Sequence, residues 1–164
     1  MQDLEEWLLR CRCDAGGGGM KPLDALQAGV LRLHQRVYQS TGGRVGHRLI
    51  GVPTLLLHTT GRRSGLRRTS ALVYALDGPA YLVVASNGGS DSPPGWLANV
   101  RAQPAVEMQV GPKVRKASAV VVGRDDPDYE RVWRLVNDNN RQRYIAYQRK
   151  TSRPIPVVRL TPDA

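Results

Sequence analysis

The sequence predicts an α+β protein built on a small, barrel-like antiparallel sheet. Three observations carry this. From Pro53 onward, short β-rich runs separated by turn residues replace the helical periodicity of the segment before them. Asp77-Gly78-Pro79 joins two of those runs through a tight turn, which favours an antiparallel hairpin. In AVEMQV, Val106, Met108 and Val110 alternate with Glu107 and Gln109, so one face is buried and the other wet.

The elements follow in order. Leu4, Trp7, Leu8 and Cys11 form a short apolar stripe, which the glycine run at 15–19 cuts off from the rest. Residues 1–19 are read as an N-terminal extension, with Met20 a candidate native start and residues 20–164 a single domain, a size that suits one core. Leu23, Leu26, Val30, Leu33 and Val37 recur in threes and fours, giving an amphipathic helix that ends near the Ser-Thr-Gly-Gly at 40–43. Packing on the core is its favoured role, and lying on a membrane surface is the other. Strands are expected at 53–59, 69–76, 80–86, 105–110 and 114–122, with a candidate sixth at 155–160. Two prolines open a short helix through Trp96 to Ala102. Residues 125–150 read as one helix, capped by Asp125 or Asp126 before Pro127 and rich in Arg and Lys in its last turn.

A net charge of +10 draws anions to the surface: nucleic acid, anionic lipid or a phosphorylated small molecule. Lysine occurs only at 21, 113, 116 and 150, so the positive charge is mostly guanidinium. That suits bidentate recognition of phosphate and carboxylate, and an arginine-biased composition produces it equally well. Phenylalanine is absent, which weakens generic single-strand binding by base stacking. Cys11 and Cys13 lie too close together for a disulfide framework or a metal tetrad, and His34, His47 and His58 are isolated, so no metal site is expected. Acids stand where a signal peptide needs positive charge, and no apolar run approaches membrane-spanning length. A cytoplasmic protein is expected, with any membrane contact peripheral.

Three constellations have chemical potential. In HTTGRRSGLRRTS at 58–70, glycines flank a turn crowded with arginines; this reads either as an anion concavity or as a solvated basic hairpin. It lacks the Lys-Ser/Thr ending of a nucleotide P-loop. In ASNGGS at 85–90, a buried strand ends in a hydroxyl, an amide and two glycines, which lets a flat ligand approach the backbone; an ordinary turn is the plain alternative. Trp96, soon after, is more often a core anchor than a ligand wall. Tyr144 and Tyr147 share one helix face and either line a pocket or pack with wet tips. None of these holds a nucleophile–base pair, so if the protein is an enzyme its reactive chemistry belongs to a borrowed cofactor.

G-R-x-S-G at 61–65, Arg68, V-A-S-x-G-G at 84–89, P-x-W-x-x-N at 94–99 and the Y-x-x-YQRKTSRPIPVVRL ending form an ordered set. From about Leu26 onward the chain resembles the deazaflavin-dependent nitroreductase family, whose members use coenzyme F-420. The resemblance implies a split β-barrel like that of flavin-binding reductases. It implies that Arg62, Arg63, Ser64, Gly65 and Arg68 hold the coenzyme's phosphate and glutamyl tail. Ser86, Asn87, Gly88 and Gly89 would then meet the ring, and Trp96 would help wall the site. The implied reaction is hydride transfer to a quinone, nitroaromatic or activated enone, with Ser86, Tyr144 and Tyr147 contacting the acceptor and relaying a proton. Relatives that act on lipid-soluble quinones meet membranes through an amphipathic N-terminal helix, a role open to Leu23 to Val37. Asn87, Val73 and Arg141 depart from residues common in the family and bear on acceptor preference. The competing readings are a basic nucleic-acid module, using the arginine turn with Lys113 to Lys116, and a split barrel for FMN or heme. No nucleic-acid partner is expected under the favoured reading.

Overall fold

The computed structural model describes residues 48–49 and 52–163. The N-terminal stripe, the glycine run, the expected helix Leu23 to Val37 with its membrane role, and the boundary at residue 19 lie outside the described residues.

The elements are β1 (Arg48–Leu49), β2 (Val52–Thr60), β3 (Arg67–Asp77), β4 (Ala80–Val84), α1 (Gly95–Ala102), β5 (Ala105–Val110), β6 (Lys113–Val122), α2 (Tyr129–Asn139), α3 (Arg143–Gln148) and β7 (Val157–Pro162). The five expected strands are present, and the candidate sixth is β7. β1 is an addition, a two-residue strand paired with the start of β2. The sheet runs β1-β2-β3-β4-β7-β6-β5, and a further β2–β5 pairing closes β2 to β7 into an antiparallel barrel. Gly78-Pro79 makes the expected hairpin, with Asp77 opposite Ala80.

β3 changes partner along its length. Arg67 to Val73 pair with β2, whereas only Tyr74 to Asp77 pair with β4. The barrel is therefore split between the first half of β3 and the end of β4.

The strand alternation builds two apolar layers. Leu55, Leu57, Val83, Val106, Met108, Ala117, Ala119, Val158 and Leu160 point into the barrel, and Trp96, Leu97 and Val100 of α1 cap it. The alternate residues Ala75, Leu82, Val84, Val122 and Val157 face outward, where Tyr129, Val132 and Val136 of α2 and Tyr144 of α3 cover them. Burying each of these large side chains stabilises by about 1.5–3 kcal/mol. The layers, rather than surface ion pairs, thus set where the helices sit.

The single helix expected over 125–150 is two. Arg141 and Gln142 adopt left-handed φ of 52° and 61°, which breaks the helix after Asn139. The Asn137 side chain bridges the break, its Oδ1 accepting from the Ile145 amide at 3.0 Å. Asp128 is the residue before α2, and its side chain makes no cap bond. Asp126, two residues earlier, does not cap the helix either; its Oδ1 accepts from the Asp128 amide at 2.9 Å, outside α2. Neither α2 nor α3 has a basic residue in its last turn, because α3 ends at Gln148 before Arg149 and Lys150.

A charged cluster ties α2 to the sheet. Arg131 bridges Asp77 at 2.7 Å and Asp128 at 2.6 Å, and Arg159 of β7 reaches both carboxylates. Hydrogen bonds from Arg131 are the main cause holding both carboxyls below the ordinary range, Asp128 at about 2.

Candidate active site

Topology sets the predicted constellations along the split in the barrel. β2 and β4 are both antiparallel to β3 and run the same way, but β2 ends opposite Arg67 whereas β4 pairs last through Val83 opposite Tyr74, so their ends flank the first half of β3. The arginine turn leaves β2 at one limit of that stretch, and Ser86 follows β4 at the other. β7 is antiparallel to β4 and starts with Val157 opposite Val84, so the segment leading into it from α3 arrives beside Ser86.

The arginine turn spans the gap from Thr60 to Arg67. Gly61 organises it: its carbonyl accepts from the amides of Ser64 at 3.1 Å and Gly65 at 2.7 Å, and its own amide donates to Leu66 O at 2.8 Å. Gly65 sits at φ 66°, a left-handed conformation that suits glycine. One side chain anchors the turn to α1: Asn99 Oδ1 accepts from the Arg62 amide, and Asn99 Nδ2 donates to Thr59 Oγ1, both at 3.1 Å. Arg62, Arg63, Ser64, Gly65 and Arg68 are exposed. Arg67 spends its charge on Glu107 at 2.7 Å. Among the described residues, Arg62, Arg63 and Arg68 have no carboxylate partner, so three guanidinium groups are left for an anion.

A cleft of about 540 Å³ adjoins the turn, lined by Gly65, Arg67, His58, Glu107, Lys116 and Asp163 among others. Its mixed charge selects anions less well than the turn does. His58 shares a hydrogen bond with Thr69 Oγ1 at 2.9 Å. Burial and the Arg67 charge lower its pKa, which keeps the ring neutral.

The second turn is built differently. Ser86 is 8% exposed, Asn87 and Gly88 are exposed, and Gly89 is buried. Asn87 takes φ 47°, which asparagine tolerates better than most residues, and its Nδ2 donates to Ser92 O at 2.9 Å. At Gly89, with φ 85°, a Cβ would lie 2.6 Å from Tyr147 O, so a side chain is excluded by both conformation and contact. This contact seats the turn against α3.

Arg153 clamps the turn from the other side. Its Nη2 donates to Ser86 O at 2.7 Å and Ala85 O at 3.2 Å, and its Nε to Ser90 O at 2.8 Å. Desolvation lowers its pKa, as expected of a partly sequestered guanidinium. Gln148 fixes the segment that bears Arg153, donating to Thr151 O and Arg153 O and accepting from the Ile155 amide. Thr151 Oγ1 donates to Asp91 at 2.7 Å, a further tie between the two segments.

Of the remaining predicted residues, Trp96 packs with the barrel core at 8% exposure. Tyr144 is buried between Trp133 and Tyr147, with ring centroids 6.4 and 6.2 Å away. Burial pushes its phenol up, so it stays neutral. Tyr147 is half-buried and carries Lys150 Nζ 5.7 Å from its ring centroid. Val73 lies on β3 opposite Thr54, and Arg141 is exposed in the helix break. Sequence reasoning assigned no role to Asn99, Gln148 or Arg153. All three stood inside quoted motifs, and no local pattern announced their partners.

A six-stranded antiparallel barrel, split beside a guanidinium turn and a glycine turn, is an architecture that can hold a phosphorylated coenzyme, which would then carry the reactive chemistry. Comparison with known proteins narrows this. The F420H(2)-dependent quinone reductase family model matches residues 30–162, and the chain belongs to that family. An F420H(2)-dependent quinone reductase of Mycobacterium tuberculosis is 55% identical over 133 residues, covering 80% of this chain and 89% of the relative. A solved F420-H2 dependent reductase is 36% identical with a TM-score of 0.58, covering 66% of this chain and 93% of that one. A solved structure described as a domain-swapped dimer is 31% identical with a TM-score of 0.61, covering 85% and 99%. The fold is accordingly the split β-barrel that the resemblance implied.

Proposed function

We propose that the protein transfers a hydride from reduced coenzyme F-420 to a quinone, and that the split flanked by both turns is where it does so. The observation that carries this reading is the split along the first half of β3, flanked by an arginine turn where β2 ends opposite Arg67 and by a glycine turn just beyond the end of β4. The donor set fits the coenzyme: three guanidiniums without carboxylate partners suit a phosphate and an acidic tail, and exposed backbone at Asn87 and Gly88 suits a flat ring. Arg62, Arg63, Ser64, Gly65 and Arg68 are proposed to hold the polyanionic part. Ser86, Asn87, Gly88 and Gly89 are proposed to meet the ring, with Trp96 behind them.

Bound reduced F-420 supplies the hydride, and the protein binds, orients and protonates. A quinone that accepts one hydride and one proton becomes a hydroquinone, so one protein-side proton path is needed. The Ser86 hydroxyl has no hydrogen-bond partner among the described residues, which leaves it free to donate to the acceptor oxygen. Tyr147 is proposed as the phenol nearest solvent in the relay, and neutral Tyr144 as its edge-on support. Nitroaromatics and activated enones are the other acceptors of this chemistry. Residues 20–164 are proposed as the deazaflavin-binding domain, with 1–19 an extension. The basic amphipathic segment Leu23 to Val37 is proposed as a peripheral membrane contact, which liposome sedimentation with and without anionic lipid tests. Among the described residues no helix is long and apolar enough to cross a membrane.

The direct test follows oxidation of reduced F-420 with a soluble naphthoquinone and a nitroaromatic as acceptors. Quinone turnover is expected, with KM for the coenzyme raised by Arg63→Ala and kcat lowered by Ser86→Ala. Absence of turnover with every quinone, while the coenzyme binds, would reassign the acceptor; absence of coenzyme binding would overturn the reading.

A further inference from the structure

Arg153 lies far from the arginine turn in sequence, is only partly exposed, and turns its guanidinium onto the backbone. Its three bonds all go to backbone carbonyls of one short segment: Ala85, Ser86 and Ser90. The consequence is geometric. No peptide in the described chain is cis, and in a trans peptide the carbonyl and the following N–H point in opposite directions. A guanidinium that pulls Ala85 O and Ser86 O to its own side therefore turns the Ser86 and Asn87 N–H groups to the other.

Strand geometry gives that side a location. The Ala85 amide donates to Pro156 O at 3.1 Å, so Ala85 faces β7 with both its backbone groups. The Ser86 amide then faces the β3 side, where Arg67 to Val73 have left β4 and the barrel is split. Among the described residues, the amides of Ser86, Asn87 and Gly88 have no acceptor. A backbone donor without a partner costs free energy when buried, and two aligned beside a split in a sheet are a ready recognition element for a carbonyl or ring nitrogen.

We infer that Arg153 is a positioning residue: by holding the Ala85 and Ser86 carbonyls it aims the Ser86 and Asn87 amides at the split, where they donate to a carbonyl oxygen or the acceptor ring nitrogen of the bound deazaflavin. This rests on the proposed function and deepens it. Gln148 and Thr151 serve the same end by immobilising the segment that carries Arg153. Charge is not what the site needs from this residue; the planar fork with several donors is, which lysine lacks.

The test is backbone amide NMR of the full chain, in wild type, Arg153→Met and Arg153→Lys, first without ligand and then with oxidised F-420. Without ligand, the Ser86 and Asn87 resonances are expected to move in Arg153→Met while resonances of β5 and β6 stay in place. With the coenzyme, those two amides shift in wild type and lose the shift in Arg153→Met. Hydride transfer to a quinone falls by about 10- to 100-fold, the scale of a roughly 1 Å misplacement. Ethylguanidinium should restore part of the rate and the amide shifts in Arg153→Ala, whose truncated side chain leaves room for it, a recovery that a general loss of folding would not show. If Arg153→Met does not fold, Arg153→Lys carries the same comparison with a smaller displacement. Unmoved Ser86 and Asn87 amides in the variants without ligand would overturn the inference, as would coenzyme-induced shifts identical to those of wild type. Wild type that binds no coenzyme would overturn the functional reading instead, and the ligand-free spectra would still decide whether Arg153 sets the amides.

Discussion

The arginine turn and the Ser86–Gly89 turn flank the split in the barrel and are held in opposite ways. The first is exposed from Arg62 to Arg68, closed by its own backbone and fastened to α1 by one asparagine. The second is seated on Tyr147 through a glycine that admits no side chain and clamped by a guanidinium on three carbonyls. The difference matches what each is proposed to recognise. A polyanionic tail is recognised by charge, which tolerates mobile side chains, whereas a flat ring is recognised by position, which requires fixed backbone donors.

The comparison breaks most visibly at Gly89. Gly89→Val places atoms where Tyr147 O already lies 2.6 Å from an added Cβ, at φ 85°, and should destabilise folding by roughly 3 kcal/mol or more, since strained backbone and overpacking add. Urea denaturation measures it, and stability equal to wild type would show that the turn is not seated as described.

The arginine turn should behave in the opposite sense. Arg63→Ala or Arg68→Ala is expected to leave stability within about 0.5 kcal/mol, the usual range for surface changes. Affinity for F-420 should fall about 10- to 100-fold, the worth of one charge-assisted hydrogen bond. Fluorescence titration beside thermal melting separates the two effects.

Asn99→Ala sharpens the contrast from between. It removes two hydrogen bonds, each worth roughly 1 kcal/mol, and frees the arginine turn from α1. A severalfold loss of coenzyme affinity is expected alongside a modest loss of stability. Asn99→Asp should retain the acceptor for the Arg62 amide while losing the donor to Thr59.

The smallest effect belongs to neither turn and serves as a control. Asp77 and Asp128 have folded pKa values below the ordinary range, Asp128 about 2. Their contribution is present above the unfolded carboxylate pKa of about 4 and is lost as pH falls toward 2. Arg131→Met should flatten that part of the stability–pH profile without altering coenzyme affinity at neutral pH.

Most of the barrel was legible because a strand with one face in the barrel core writes that face into every second residue, as in Val106 and Met108. β7 read less clearly because Val157 faces the helices while Val158 and Leu160 face the barrel, leaving an apolar run without alternation. The helix break at Arg141 carries no glycine or proline to mark it; it is imposed by the tertiary fit of α3. The arginine turn was legible as a turn from the glycines that flank its arginines, while those residues left open whether it holds an anion or is a solvated hairpin. Arg153 and its carbonyl partners lie more than sixty residues apart, and nothing local in either segment encodes their meeting.

The measurement that bears most directly on the two-turn account is a fluorescence titration of intact F-420 and of its ring fragment, lacking phosphate and glutamyl tail, against wild type and Arg63→Ala. The account predicts that Arg63→Ala loses affinity for the intact coenzyme and binds the ring fragment as well as wild type does. Equal losses for both ligands would contradict the division of labour between the turns.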